Sequence, residues 1–239
     1  MEKLLSIKEA ASFLNVSEMS LRRWTNAGKL KCYRVGGNHE RRFNRQDLVS
    51  FLHIDDQKST PLGMSKYRVD NSNHIAHFYR KIEESLDEGI SYLSKGLSLG
   101  EKILIISTNA RLTKLLEGLA DSGIPVSKLL GEGSIITDTG RQDLAEQIQF
   151  MTDAIADTNC PNGFRLLGDM AWASEKKWGL GDLTTLEDYT NSALADKNKI
   201  FLCQYDIEQF SASIALMAFD THRLTSYRGE LKESPYFAG

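Results

Sequence analysis

Apolar residues follow two rhythms along this chain. Over the first fifty positions they form short helical stripes; beyond residue 100 they form continuous runs separated by helical patterns. Ile7, Ala10, Ala11 and Leu14 recur at helical spacing. Ser6 and Glu9 make an S-x-x-E capping box, which predicts a helix from Ile7 that Asn15 breaks. Ser17 predicts the cap of a second helix, from Glu18 to Asn26, ending at Gly28. Leu21 and Trp24 fall on its inner side, and Ser20, Arg22 and Arg23 on its outer side. Two short helices with so brief a joint have the geometry of a helix-turn-helix. Leu30 to Val35 and Arg41 to Phe43 predict a strand pair around a Gly36-Gly37-Asn38 turn. Asn44 and Asp47 suit the start of a third helix, with Leu48, Phe51 and Leu52 packing inward, and Trp24, Tyr33 and Phe43 complete a small core.

The second rhythm predicts an open α/β sheet. Lys102 to Ser107, Ser134 to Thr137, Phe164 to Leu167 and Ile200 to Gln204 read as buried parallel strands, and Leu224 to Tyr227 as a fifth. Helical patterns cover roughly 82–97, 111–122, 141–156, 183–195 and 207–221. This alternation argues a mainly parallel sheet with helices on both faces, whose ligands bind at the strands' carboxyl ends. The expected division is a winged helix-turn-helix over 1–54, a linker over 55–73 and an α/β sensory domain over 74–239. The linker holds Asp55-Asp56, Pro61, Gly63 and Asp70-Asn71 and shows little periodicity.

Charge divides the chain at the same place. Residues 1–52 carry ten Lys/Arg against five Asp/Glu, and residues 53–239 carry nineteen against twenty-seven. A basic head on an acidic body is the footprint of a DNA-binding module attached to something that does not bind DNA. The expected DNA-facing residues are Ser17, Ser20, Arg22, Arg23, Arg34, His39, Arg41, Arg42 and Arg45. Arg22 and Arg41 or Arg42 are assigned to phosphate, and Ser17, Ser20 or Arg23 to base edges. A solvated charged face is the bland alternative; the position of the arginine pairs on helix and wing weighs against it.

The pattern I-K-E-A-A-x-x-L-x-V-S-x-x-x-L-R-R-W-x-x-x-G-K-L followed by R-R-F-x-R-x-D-L resembles the winged helix-turn-helix of the MerR/excisionase superfamily. It departs from the family's tight wing by one acidic residue, in Gly37-Asn38-His39-Glu40-Arg41-Arg42-Phe43. In the body, His74-x-x-x-Phe78-Tyr79, Gly100-Glu101-Lys102, Gly168-Asp169-Met170-x-Trp172 and Leu202-Cys203-Gln204-Tyr205-Asp206-x-x-x-Phe210 resemble the MEDS sensory domain of dichloromethane-dehalogenase-repressor-like regulators. That resemblance implies a RecA/KaiC-like core without catalytic residues and a sensor for simple hydrocarbon derivatives. It marks His74, Phe78, Tyr79, Asp169, Trp172, Tyr205 and Asp206 as ligand-binding candidates. It further implies a transcription regulator, repressing in sign, that binds an inverted repeat of double-stranded DNA as a homodimer or higher homo-oligomer.

The residues themselves limit the chemistry. The junction Ser107-Thr108-Asn109-Ala110-Arg111-Leu112-Thr113-Lys114 lacks the glycines and the Gly-Lys pair of a P-loop, which argues against NTP hydrolysis. No nucleophile–base pair or paired carboxylates stand out, so no catalytic residue, cofactor or enzyme activity is expected. His74 and His77 can share a metal only on a helix and lack an obvious carboxylate or thiol beside them, so no metal is expected. Cys203 reads as an inert buried thiol. Phe78 and Tyr79 can equally anchor the first helix, and Asp169 can equally cap a turn.

A magnitude constrains the implied ligand. At about 1.5 kcal/mol per heavy atom, a three-atom halomethane gains at most about 4.5 kcal/mol, or a Kd near ~0.5 mM. A larger C1 derivative, or help from a metal or thiol, would make a better switch.

Composition adds exclusions. The chain is 41% hydrophobic and 26% charged, enough for a real core. Cys32, Cys160 and Cys203 form no CxxC and no disulfide framework, as expected in a reducing compartment. No eighteen-residue apolar run or basic-then-apolar start is present, so a cytoplasmic protein without membrane span or signal peptide is expected. Two other readings stay open at this level. An architectural, excisionase-like protein would use the large domain for assembly, and a degenerate nucleotide-binding domain would be tethered to DNA.

Overall fold

The capping box at Ser6 closes as its spacing dictates: the Ser6 hydroxyl accepts from the Glu9 amide, and the Glu9 carboxylate accepts from the Ser6 amide at 2.7 Å. In the computed structural model, which describes residues 4–37, 39–49, 51, 59–64, 66–156, 160–194 and 198–237, the chain separates into two units, 1–59 and 60–239.

In the first unit, β1 (Leu5–Ser6) leads into α1 (Ile7–Leu14), which Asn15 ends in the left-handed conformation at φ 54°. Ser17 caps α2 (Glu18–Asn26) through the Ser20 amide. The hairpin of β2 (Tyr33–Val35) and β3 (Glu40–Phe43) follows, and then α3, helical over 45–49. β1 pairs antiparallel with β3, a strand too short to show in the apolar pattern. Ala10, Ala11, Leu21, Leu30, Phe43 and Leu48 form the core, and Trp24 packs on Phe51 at 5.2 Å between centroids. Asn38, Leu52 and the linker's Asp55-Asp56 lie outside the described residues.

The second unit starts earlier than the sequence pattern suggests. β4 (Ser59–Pro61) and β5 (Arg68–Asp70) form a small sheet, and Leu62, Met64 and Val69 are buried in the body's core. Arg165, fully buried on β9 (Phe164–Asp169), holds this segment in place. Its guanidinium donates to the carbonyls of Pro61 at 2.7 Å, Leu62 at 2.6 Å and Tyr92 at 2.9 Å, and pairs with Glu101. Every one of these bonds satisfies a charge that would be costly to leave bare. The residues expected as linker between 59 and 73 are therefore mostly ordered structure.

The main sheet has seven strands in the order β12-β11-β6-β10-β9-β7-β8. Its members are β6 (Ser72–Tyr79), β7 (Lys102–Ile106), β8 (Ile135–Asp138), β9, β10 (Lys199–Asp206), β11 (Leu224–Tyr227) and β12 (Glu230–Glu233). All neighbours pair parallel except β11 with β12. One face packs on α4 (Ile82–Ser98), α5 (Asn109–Asp121) and α6 (Val126–Gly131). The other packs on α7 (Leu144–Ala156), α8 (Ala171–Glu175), α9 (Leu180–Ala193) and α10 (Ala212–Thr221). The mainly parallel α/β architecture expected from the alternation is thus present. β6 was not expected as a strand. Its residues Asn73, His74 and His77 are buried on both faces and interrupt the apolar run that marks its neighbours.

Candidate functional site

The head presents a basic concavity of about 500 Å³ lined by Ser6, Ile7, Arg22, Arg34, His39, Glu40, Arg41 and Arg42. Arg22, Arg23 and Arg34 are exposed, and His39 closes the hairpin turn at φ 50°. Ser17 and Ser20 are engaged with each other, Ser17 accepting from the Ser20 amide at 3.1 Å. Two wing arginines have partners within the head. Arg41 donates to the Asn26 side chain at 2.6 Å and to the Arg22 carbonyl at 3.3 Å, so it ties the wing to α2. Arg42 pairs with Glu40, the inserted acidic residue, at 2.6 Å. The Arg45 guanidinium lies over the Phe13 ring of α1 at 5.3 Å. Among the described residues the Arg22 side chain makes one long contact, 3.9 Å to Glu18.

In the body, five of the seven expected ligand residues divide between two places. Tyr79, Asp169 and Asp206 meet at the strands' carboxyl edge, as the topology of an open parallel sheet predicts. Arg111, from the first turn of α5, joins them: it contacts Asp169 at 2.6 Å and Asp206 at 3.8 Å and donates to the Tyr79 hydroxyl. Ser107 donates to the other Asp169 oxygen at 2.8 Å. Burial alone would lower the Arg111 pKa, but Asp169 and Tyr79 outweigh it and raise it. Burial, then the Asp169 charge, pushes the Tyr79 phenol up. Here the β7–α5 junction turns directly from Ser107 into the Thr108 cap. An arginine side chain and a closed ion-pair network occupy the edge of the sheet.

His74 and Tyr205 lie elsewhere. Strand alternation puts His74, Ala76 and Phe78 on one face of β6, together with Phe201, Cys203 and Tyr205 of β10. His77 points to the opposite face, where its Nδ1 accepts from the Gln204 amide at 3.1 Å. The two histidines therefore share nothing, because a strand and not a helix carries them. Around His74 stand Cys203, with Sγ 3.3 Å from Nε2, and Glu187 of α9, with Oε2 3.2 Å from Nε2. His222, the residue after α10, brings its Nε2 to 3.7 Å from the same oxygen. The carboxylate and thiol that the sequence did not show beside His74 are thus present, and Cys203 is part of a polar cluster. The Tyr205 hydroxyl donates to the other Glu187 oxygen. Burial pushes Glu187 up, yet His222, His74 and Tyr205 outweigh it and hold it at about 2. Burial above all pushes the Cys203 thiol up.

Beside this cluster a cleft of about 460 Å³ opens, lined by His74, Asn191, Leu194, Asp220, Thr221 and Arg223 among others. Phe78 stacks on Phe219 at 4.7 Å, and Trp172 packs edge-on against Trp178 at 4.9 Å. These two belong to the core rather than to either polar cluster.

Arg111, Glu187 and His222 were not singled out from sequence. Glu187 left one signal: it falls among Leu183, Leu186 and Thr190, on the buried face of its helix. An acidic residue on an apolar stripe implies a partner.

A helix-turn-helix head with a basic concavity, followed by a mainly parallel α/β body with two buried polar clusters, defines the class of this protein. The amino-terminal match is to a helix-turn-helix domain over residues 4–53. Residues 73–223 match the family described as "MEDS: MEthanogen/methylotroph, DcmR Sensory domain", and the chain belongs to that family. The transcriptional repressor DcmR of Methylorubrum extorquens is 32% identical over 250 residues, covering 97% of this chain and 94% of the relative. Among solved structures, the flagellar accessory protein FlaH from Methanocaldococcus jannaschii is similar with a TM-score of 0.46 at 12% identity, covering 67% of this chain and 75% of that one. A KaiC-like protein from Pyrococcus horikoshii gives a TM-score of 0.46 at 11% identity, covering 65% and 69%. Among the described residues, no helix is long and apolar enough to cross a membrane.

Proposed function

We propose that this chain is a cytoplasmic transcription regulator, a repressor in sign. It binds an inverted repeat as a homodimer and changes its DNA affinity when the body takes up a small C1- or hydrocarbon-derived molecule. The observation that carries this reading is the basic concavity of the head, where exposed Arg22 and Arg34 flank a capped helix and its wing. A relative named as a transcriptional repressor, similar across both units, supports the regulatory role. In this reading α2 enters the major groove and the wing meets adjacent phosphate. The cleft beside His74 supports effector uptake: its size is that of a small-molecule pocket. An effector acts only through a difference in affinity between the DNA-competent and DNA-incompetent states.

The test is sequencing of genomic fragments retained by the purified full chain at physiological salt. The expected result is an inverted repeat whose half-sites lie about one helical turn, or a multiple of it, apart. Retention of fragments without a shared sequence would overturn the operator reading. Fluorescence anisotropy on the recovered site, with dichloromethane and methanol as probes, then reads the effector: a weaker complex is expected. Equal affinity with and without either probe removes these two molecules as effectors.

A further inference from the structure

Four side chains from four separate elements aim ligating atoms at one point inside the body. They are His74 of β6, Glu187 of α9, Cys203 of β10 and His222 after α10. Their ligating atoms all lie within 4.8 Å of one another, and every residue is buried. We propose that His74, Glu187, Cys203 and His222 form a binding site for a divalent transition-metal ion of the zinc class.

Hydrogen bonding shows which ring nitrogens face the site. The Asn191 amide nitrogen donates to the Thr221 carbonyl at 2.8 Å, which turns the Asn191 oxygen toward His74 Nδ1 at 3.0 Å. That nitrogen therefore carries a proton, and in the neutral ring Nε2 keeps a lone pair. His222 Nδ1 donates to the Ala218 carbonyl at 2.8 Å, and among the described residues its Nε2 has no hydrogen-bond partner although the residue is fully buried. Two imidazole lone pairs thus converge on a carboxylate oxygen, with one thiol beside them. Three acceptors facing one another repel unless a cation sits between them. Oxygen acceptors on the far ring nitrogens are the arrangement that orients metal-bound histidines. Tyr205, by donating to the second Glu187 oxygen, leaves Oε2 to face the cluster.

The spacing fits. A tetrahedral ion with bonds of about 2.0–2.3 Å holds its ligand atoms about 3.3–3.8 Å apart. Four of the six separations are 3.2 Å for His74–Glu187, 3.3 Å for His74–Cys203, 3.7 Å for His222–Glu187 and 3.9 Å for Cys203–Glu187, and the other two stay within 4.8 Å. Two nitrogens, one sulfur and one oxygen are a borderline-soft set, suited to zinc rather than to calcium or magnesium. The charges also close. Binding forms a metal–sulfur bond, the thiol gives one proton to solvent, and thiolate and carboxylate together neutralise the dication. The adjoining cleft reaches His74 and Asn191 and offers a path for the ion.

The test uses the full chain, stripped with a chelator and titrated with Co²⁺ alone. The expected result is one ion per chain, the visible bands of four-coordinate cobalt, a near-ultraviolet thiolate band, and about one proton released per ion. Zn²⁺ should bleach the spectrum. Cys203→Ser should remove the near-ultraviolet band. Asn191→Ala, which removes the acceptor on the far side of the His74 ring together with the bond to the Thr221 carbonyl, should weaken affinity about 10–100-fold. Against misfolding of those variants, Cys32→Ser/Cys160→Ser leaves Cys203 as the sole thiol and should keep the full spectrum. Absence of the bands in the unmodified chain, their loss in that double variant, or their persistence in folded Cys203→Ser would each overturn the site. In the first case a protonated imidazole would be the cation beside Glu187. No DNA is present in this titration, so its failure leaves the regulator reading untouched.

Discussion

Glu40 holds Arg42 at 2.6 Å on the outer edge of the wing. Glu40 is the acidic residue by which this wing departs from the tighter form that its neighbouring sequence resembles. The pair takes one guanidinium away from phosphate in a head whose affinity for any DNA depends on its cations. Glu40→Gln should therefore tighten binding to non-specific duplex on the order of fivefold, the equivalent of ~1 kcal/mol for an exposed pair. The slope of log K against log salt should steepen by about 0.9. Anisotropy over a salt series checks both, and an unchanged slope would show that Arg42 does not reach the backbone.

Arg41 has a different task, because it bonds to α2 rather than to solvent. Arg41→Ala should lower the head's stability by about 1 kcal/mol and loosen the wing. Asn26→Ala removes one of the same bonds without removing a charge, and it should reproduce part of that stability loss. Arg23→Ala should leave stability unchanged while weakening DNA binding. Thermal melts paired with binding curves separate the three. A fully stable Arg41→Ala would return Arg41 to the phosphate role.

The head was legible because its determinants are local. Ser6 with Glu9, Ser17 with Ser20 and the stripe from Ile7 to Leu14 lie within one or two helical turns. The body's frame was legible where strands are uniformly apolar, as in β7 with Ile103, Leu104, Ile105 and Ile106. β6 was hidden because Asn73, His74 and His77 make a buried strand look polar. Asp169 and Asp206 could be placed just after apolar runs that read as strands, whereas Tyr79 entered only through the resemblance, because its own strand was hidden. The cluster around His74 was not legible, because its partners come from helices and strands far away in the chain; Cys203 is 129 positions distant. Such a site is assembled by the fold, and no spacing rule announces it.

Arg111 and Asp169 make a buried ion pair at the carboxyl edge, 9% and 2% exposed at the side chain. Removing one partner leaves the other charged and unpaired in a poorly solvated place, which typically costs about 3–5 kcal/mol. Asp169→Asn and Arg111→Met should each destabilise by that order, and the double variant by less than the sum. Chemical denaturation of the four proteins gives the coupling. Strict additivity would mean that water already solvates the pair.

His77 supplies the last prediction. Its ring is buried between β6 and α4, accepting from Gln204, whose amide also donates to the Ser85 carbonyl. Burial first, against a smaller opposing pull from Glu84, lowers its pKa from 6.5 to about 4. The Tyr79 ring, 6.1 Å away, is also titratable, and it stays neutral in this range. A base depressed in the folded state binds its proton more readily when unfolded. The folded state therefore keeps full stability above about pH 6.5 and loses it as the pH falls toward about 4. The shift corresponds to a loss of ~3 kcal/mol across that window. His77→Gln, which keeps a side-chain oxygen acceptor but cannot titrate, should lack this component. Denaturation midpoints for both proteins between pH 7.5 and 4 give the difference. The wild type should fall relative to the variant on acidification, and parallel curves would show that His77 is protonated without cost.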